Sequence, residues 1–195
     1  MAFGFRPVRY KDGTNYNGAT TRYYVPAGVR NAFVGDPVLK TGTATIPGEG
    51  GVNEVGGVPE CQAVAAGDFA AAITGVVMAI EPDRTDLEQT YVSSTNGGFV
   101  CVATNPNLVY ECVADGATLT VADVGFNHGF AQAAGSTIFG TSGASLDDSS
   151  SAATITLPFK LLGLAQRVDN TFGATTSVYE VSINATTDAP NSLGV

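Results

Sequence analysis

Short runs in which apolar and polar residues alternate constrain the fold of this chain most strongly. In residues 178–183, Tyr179, Val181 and Ile183 alternate with polar residues, and the same period of two recurs at 118–121 and 155–161. This spacing places the apolar side chains on one face of a β-strand and the polar ones on the other. Several such strands separated by turns predict an all-β fold, an antiparallel sandwich or barrel with little helix.

Two further patterns make the strand assignment more specific. Residues 73–80 have the apolar character of a buried strand, and the runs 99–103 and 108–113 flank the turn sequence Asn105-Pro106-Asn107. The latter arrangement predicts a β-hairpin. Pro158 has no amide hydrogen for a ladder, so its strand is expected at an edge or a bulge.

Composition changes along the chain divide it into four segments. Residues 1–30 are basic, aromatic and rich in turns, and they are interpreted as an extended N-terminal arm, with a hairpin on the same domain as the alternative. Residues 31–95 form a smaller β lobe, with a glycine-rich loop at 46–57 and one expected helical turn at 67–72. Residues 96–186 form the main antiparallel domain, and 187–195 are a tail. The loop lacks the glycine and lysine spacing of a phosphate-binding site.

The formal net charge of −9 is unevenly distributed. Residues 1–40 carry six basic and two acidic residues, whereas the remainder carries three basic and sixteen acidic ones. An acidic body argues against nucleic acid and anionic membrane as partners. No run approaches the length of a membrane span, and the opening residues lack the apolar region of a signal peptide, which predicts synthesis and folding in a cytosol. The basic segment is either a site for an acidic protein surface or an ordinary solvated segment.

Side chains suited to catalysis are scarce. The chain has one histidine, His128, no tryptophan and three scattered cysteines, of which Cys101 and Cys112 lie in apolar runs typical of buried free thiols. The segment Gly140-Thr141-Ser142-Gly143 does not match the GxSxG elbow of hydrolases. Acidic residues at 81–88 and at 147–148 lack the spacing of a calcium loop and are interpreted as solvated. We expect no enzymatic activity, no cofactor and no metal site.

The second half of the chain resembles a group of tailed-bacteriophage virion proteins, the capsid cement or decoration proteins. Along the last 80 residues or so, the order and spacing of the segments resemble those of these proteins. The first 100 residues resemble these proteins only in general character. It rests on segments 108–112, 124–127, 140–147, 158–165, 168–173 and 178–184, with Asp115 and Leu119 between the first two.

This resemblance implies a structural protein without an active site, bound in many copies to the outer face of a phage head, often as trimers. Its partner would be the major capsid protein, and its location the capsid surface of a virion made in bacterial cytoplasm. The charge split places the expected capsid contacts in the arm, where aromatic and arginine side chains form the anchor type found at interfaces. These candidates are Phe3, Phe5, Arg6, Arg9, Tyr10, Arg22, Tyr23 and Tyr24.

Two other functions fit the sequence. A head- or tail-associated carbohydrate-binding β domain would present exposed tyrosines in a groove. The candidates for that groove are Tyr16, Tyr23, Tyr24, Tyr91 and Tyr110. A small hydrolase would depend on His128, which lies in a turn-like sequence without an evident nucleophile or orienting carboxylate.

Overall fold

A computed structural model describes residues 3–45, 57–65, 73–83, 86–184 and 186. The expected all-β fold with antiparallel sheets is confirmed, and a 3₁₀ turn at Val121–Asp123 is the only helix among the described residues. No helix in these ranges has the length and apolar character needed to span a membrane. The described strands are β1 (Arg6–Tyr10), β2 (Thr21–Val25), β3 (Pro37–Thr45), β4 (Val58–Ala63), β5 (Gly75–Ile80), β6 (Gly98–Ala103), β7 (Leu108–Val113), β8 (Asn127–His128), β9 (Phe130–Ala133), β10 (Gly143–Leu146), β11 (Phe159–Leu164) and β12 (Val178–Ile183).

Five strands of the first half close into a barrel in the order β2-β4-β3-β5-β6. The pairs are antiparallel except β2 with β4, which run parallel. Val25, Val38, Val77, Val100 and Val102 are buried inside the barrel. These β-branched residues suit a small barrel because their compact side chains fill its interior without polar atoms.

The second unit is a five-stranded antiparallel sheet in the order β1-β7-β12-β11-β8, and the hairpin of β9 and β10 contributes to the same core. Tyr179, Val181 and Ile183 point into that core, as their alternation predicts. Its aromatic centre is Phe5, whose ring stacks on Phe159 at 4.2 Å between centroids. The buried residues thus form two apolar clusters, and the cluster of the five-stranded sheet also includes Val76 and Ala103 from the barrel strands β5 and β6.

Glycines allow the two units to meet closely. A side chain on Gly4 would place its Cβ 2.6 Å from the carbonyl oxygen of Gly35 and 2.7 Å from the Cβ of Ser142. Both glycines have positive φ angles, so other residues would also be strained there. The segment before β1, the segment before β3 and the start of β10 thus meet at one point.

The predicted hairpin at 99–113 is wrong. β6 pairs with β2 and β5 in the barrel, and β7 pairs with β1 and β12 in the other sheet. The turn at Asn105-Pro106-Asn107 therefore carries the chain from one unit to the other. The hydroxyl of Tyr110 donates across this crossing to the carbonyl of Ala103 at 3.2 Å.

Other local predictions have mixed outcomes. Residues 118–121 are not a strand: Leu119 is buried, but Val121 begins the 3₁₀ turn and is exposed. Pro158 directly precedes β11, where the missing amide hydrogen disturbs no ladder. The expected glycine-rich loop up to residue 56, the helical turn at 67–72 and the tail at 187–195 lie outside the described residues.

The segment 1–30 differs from the expected extended arm over its described part. β1 is an edge strand of the five-stranded sheet, paired with β7, and β2 is a strand of the barrel, paired with β6. The physical reason is apolar burial, because Phe5 and Tyr23 are 1% and 2% exposed. The barrel also reaches back to residue 21 and forward to residue 103, beyond the expected lobe at 31–95.

Replacing Gly75 by alanine is expected to lower the free energy of unfolding by about 2 kcal/mol. An added Cβ would lie 2.1 Å from the carbonyl oxygen of Ala103 on the neighbouring strand, so the barrel must open locally. Urea denaturation followed by circular dichroism measures the change. Ala79→Ser, at an exposed position of the same strand, is the control and should shift stability by less than about 0.5 kcal/mol. A Gly75→Ala protein as stable as the wild type would contradict the pairing of β5 with β6.

Candidate interaction surface

The residues expected to contact a capsid lie in two different sheets. Arg6, Arg9 and Tyr10 lie in β1, the edge strand of the five-stranded sheet that Phe3 and Phe5 precede, whereas Arg22 through Tyr24 lie in β2 of the barrel. Phe5, Tyr23 and Tyr24 are buried at 1%, 2% and 6% exposure, so their side chains stabilise the fold and are not displayed to a partner. Phe3 and Tyr10 remain partly exposed.

The three candidate arginines form ion pairs within the chain. Arg6 bonds to Glu111 and Arg9 to Glu180, each at 2.6 Å. Arg22 holds Glu81 through two bonds of 2.7 Å and lies 3.9 Å over the ring of Phe99. The charges of these three arginines are thus matched by carboxylates of the acidic body. The charge split allowed two interpretations, a binding site for an acidic partner or an ordinary solvated segment. The three arginines expected in that binding site form ion pairs within the chain instead.

The tyrosines that would form a sugar-binding groove do not lie together on the surface. Tyr110 is fully buried in the core of the five-stranded sheet, and Tyr23 and Tyr24 are buried in the barrel region. Tyr91 is partly buried and stacks on Phe33 at 5.1 Å. Tyr16 is partly buried beside Tyr10.

His128 lies in β8 rather than in a turn. Its ring is fully buried, and Nδ1 is 3.3 Å from the backbone carbonyl of Asp147. Nε2 has no hydrogen-bond partner in the described part of the chain. The acceptor at Nδ1 is a backbone carbonyl where a catalytic triad has a carboxylate, so the hydrogen bonds described around His128 do not form such a triad.

Three carboxylates, those of Asp115, Asp147 and Asp148, offer oxygen atoms within 4.8 Å of one another. Oxygen ligands of this kind suit hard cations such as Ca²⁺. Here they accept hydrogen bonds from protein donors: Asp148 from the amide and hydroxyl of Thr118 at 2.8 and 2.7 Å, and Asp147 from Ser149. These bonds tie the loop after β7 to the loop after β10.

The pKa values of Asp115 and Asp148 in this cluster are shifted in opposite directions. Burial raises the pKa of Asp115, and the neighbouring carboxylates act in the same direction. Burial acts to raise the pKa of Asp148 as well, but the hydrogen bonds from Thr118 outweigh it and hold that pKa below its ordinary value. Asp115 therefore binds a proton more readily than Asp148 does.

A cleft of about 450 Å³ adjoins this cluster. Phe3, Asp115, Ser145 and Thr176 are among the residues that line it, and the remaining lining is mainly small and apolar. It brings together one carboxylate and several hydroxyls. The sequence did not indicate this cleft because its lining comes from five separate segments.

The two buried cysteines are inert thiols. Burial raises the pKa of Cys61 to about 12, and it raises that of Cys112 further. Both therefore remain protonated near neutral pH. All three cysteines are free, as expected, although Cys101 is partly exposed rather than buried.

Asp36 is a fully buried carboxyl at the junction of the two units. It accepts hydrogen bonds from the amide of Phe33 at 2.9 Å, from the amide group of Gln132 at 3.2 Å and from the hydroxyl of Ser142. Burial raises its pKa, against the opposing effect of these bonds and of the Arg30 charge. The carboxyl connects the segment before β3 to the β9–β10 hairpin.

Three strongly exposed apolar side chains lie on two turns that a hydrogen bond joins through Thr90 and Thr137. We call Leu87, Ile138 and Phe139 the turn patch: their exposures are 79%, 77% and 71%. Large apolar side chains grouped on a surface mark interaction sites more often than single ones do. Other strongly exposed apolar residues, Val121, Ile155 and Val168, lie on other loops.

The turns that carry the turn patch are fixed to the body. The hydroxyl of Thr90 donates to the carbonyl of Thr137 at 3.0 Å, which joins the segment after Leu87 to the tip of the β9–β10 hairpin. Gly140 lies so close to Thr90 that an added Cβ would be 2.2 Å from its carbonyl oxygen. The amide of Val34 donates to Gly140 at 2.9 Å, anchoring the tip to the barrel unit.

The surroundings of the turn patch are acidic. Asp86 and Glu88 flank Leu87, and both are exposed. Residues 81–88 hold four carboxylates and one cation, Arg84, and one of those carboxylates, Glu81, is paired with Arg22. Residues 134–143, which form the hairpin tip, contain no charged residue. An apolar surface with an acidic border results.

Comparison with known proteins gives no relative for this chain. No family model, no curated protein and no solved structure matches it.

Proposed function

We propose that this chain is a virion structural protein that decorates the outer surface of a bacteriophage capsid. It binds as a homotrimer and stabilises the expanded head by bridging subunits of the major capsid protein. The order and spacing of segments between 108 and 184 supports this assignment, because those segments resemble capsid decoration proteins.

The observation that carries the proposal is the turn patch on a firmly packed β body. Exposed leucine, isoleucine and phenylalanine side chains gain free energy when a partner covers them. A body whose turns are already fixed loses little conformational entropy on binding. Repeated attachment through several copies would increase the total affinity by effective concentration. These are the properties that a protein needs in order to hold neighbouring shell subunits together.

The test uses expanded heads of the encoding phage, assembled without this protein. Purified chain is expected to bind them to saturation and to raise the temperature at which the heads release their DNA. Light scattering is expected to give a mass three times the 19.9 kDa of one chain for the bound or free oligomer. Serum albumin, another acidic protein, is the control for adsorption. Heads that bind no chain, or that bind it without any gain in stability, would contradict the proposal.

A further inference from the structure

We propose that the turn patch is the docking surface and that it fits an apolar area on a protein surface bordered by lysine or arginine. This inference rests on the proposed function, since it states which face of the chain meets the capsid subunit and the chemistry of the face that receives it.

The first argument is the size and composition of the exposed surface. Leu87, Ile138 and Phe139 are each more than two-thirds exposed, and together they display on the order of 400 Å² of mostly apolar area. Ile138 and Phe139 are adjacent in the turn between β9 and β10, so this pair provides the larger part of that area.

The second argument is rigidity. The Thr90–Thr137 hydrogen bond, the close approach of Gly140 to Thr90 and the Val34–Gly140 bond hold both turns in one arrangement. The ring of Phe33 covers Gly135 so closely that an added Cβ would be 2.5 Å away. A docking surface fixed in this way pays little ordering entropy on association.

The third argument is charge, which indicates what kind of partner binds to the turn patch. Asp86 and Glu88 border the apolar residues, and the formal net charge of the whole chain is −9. A second copy would bring like charges to this border, and anionic membrane or nucleic acid would be repelled in the same way. A basic border on a protein partner would instead complement it and steer the encounter.

The experiment measures binding to the same heads by a double variant, Ile138→Ser with Phe139→Ser. Its affinity is expected to fall about tenfold or more, because truncating central aromatic and aliphatic contacts has the largest effects at interfaces. The matched control is Ile155→Ser with Val168→Ser, which removes equally exposed apolar side chains from other loops and should bind as the wild type does. Circular dichroism verifies that both proteins fold.

A second variant tests the acidic border. Asp86→Asn with Glu88→Asn is expected to weaken binding several-fold at about 0.05 M salt and to reduce the loss of binding that salt causes in the wild type. Unchanged or stronger binding would overturn the basic border on the partner.

The outcomes separate this inference from the proposed function. Wild-type chain that binds no heads overturns both. Wild-type binding with equal binding by Ile138→Ser/Phe139→Ser overturns the docking surface alone, and equal losses in that variant and its control do the same. Sedimentation of the free chain gives the last outcome. If Ile138→Ser/Phe139→Ser dissociates an oligomer of the free chain, the partner bound to the turn patch is a second copy, and the proposal is wrong.

Discussion

Replacing Phe5 by alanine is expected to remove about 4 kcal/mol from the free energy of unfolding. The side chain is 1% exposed, its ring stacks on Phe159 at 4.2 Å and it meets Phe130 edge-on at 6.4 Å. Truncation leaves a cavity in the middle of this aromatic group. Guanidinium denaturation measures the change, and the unfolding midpoint should fall without a change in slope.

The control for this prediction makes the same chemical change on the surface. Phe139→Ala removes a ring that is 71% exposed, so the stability should change by less than about 0.5 kcal/mol. If Phe5→Ala were as stable as the control, β1 would not belong to the core, and the docking arm would again be the better interpretation of residues 1–30.

Replacing Asp36 by alanine is expected to cost about 3 kcal/mol near pH 5, because three buried donors lose their acceptor. These donors are the amide of Phe33, the amide group of Gln132 and the hydroxyl of Ser142. Denaturant unfolding of the two proteins measures the difference. A neutral result would mean that water or a rearrangement satisfies all three donors.

The same pair of proteins gives a pH dependence with a definite sign. The pKa of Asp36 in the folded protein is raised above its ordinary value of 3.8, so the folded state holds the proton more tightly than the unfolded one. The stability that this proton contributes is present at low pH and is lost as pH rises from about 4 through the raised pKa. The stability difference between wild type and Asp36→Ala should therefore shrink over that interval.

Asp12 provides a control of opposite sign. Hydrogen bonds from Thr14 lower its pKa, so its contribution is present above the ordinary value and is lost as pH falls. The stability difference between wild type and Asp12→Ala should grow as pH rises. A difference for Asp36→Ala that grows in the same direction would contradict the raised pKa.

Period-two patterns predicted the fold class because they report which face of each strand is buried. The alternation at 178–183 correctly indicated the buried face of β12. The same patterns do not specify partners, and the run 99–103 looked like one half of a hairpin although its neighbours are β2 and β5. Which strands pair depends on contacts between residues that are far apart in the chain. The pattern within one strand does not report those contacts.

The interaction surface was harder to predict for a similar reason. The pairs Arg6–Glu111 and Arg9–Glu180 join residues 105 and 171 positions apart, so a composition count assigned their charges to separate regions. The sequence did not single out Ile138 and Phe139, because an exposed apolar pair has no local signature. Only the fold shows that they are exposed and that their turn is hydrogen-bonded to the segment after Leu87.

The position of β1 affects the order in which this protein can fold during synthesis. Every barrel strand lies between residues 21 and 103, so the barrel has all its parts once that stretch has left the ribosome. The other sheet joins β1 to β7 and β7 to β12, and Phe5 has to wait until Phe159 has been translated. Until then Phe5 lacks the ring on which it stacks, although all the strands of the barrel are already available to pair.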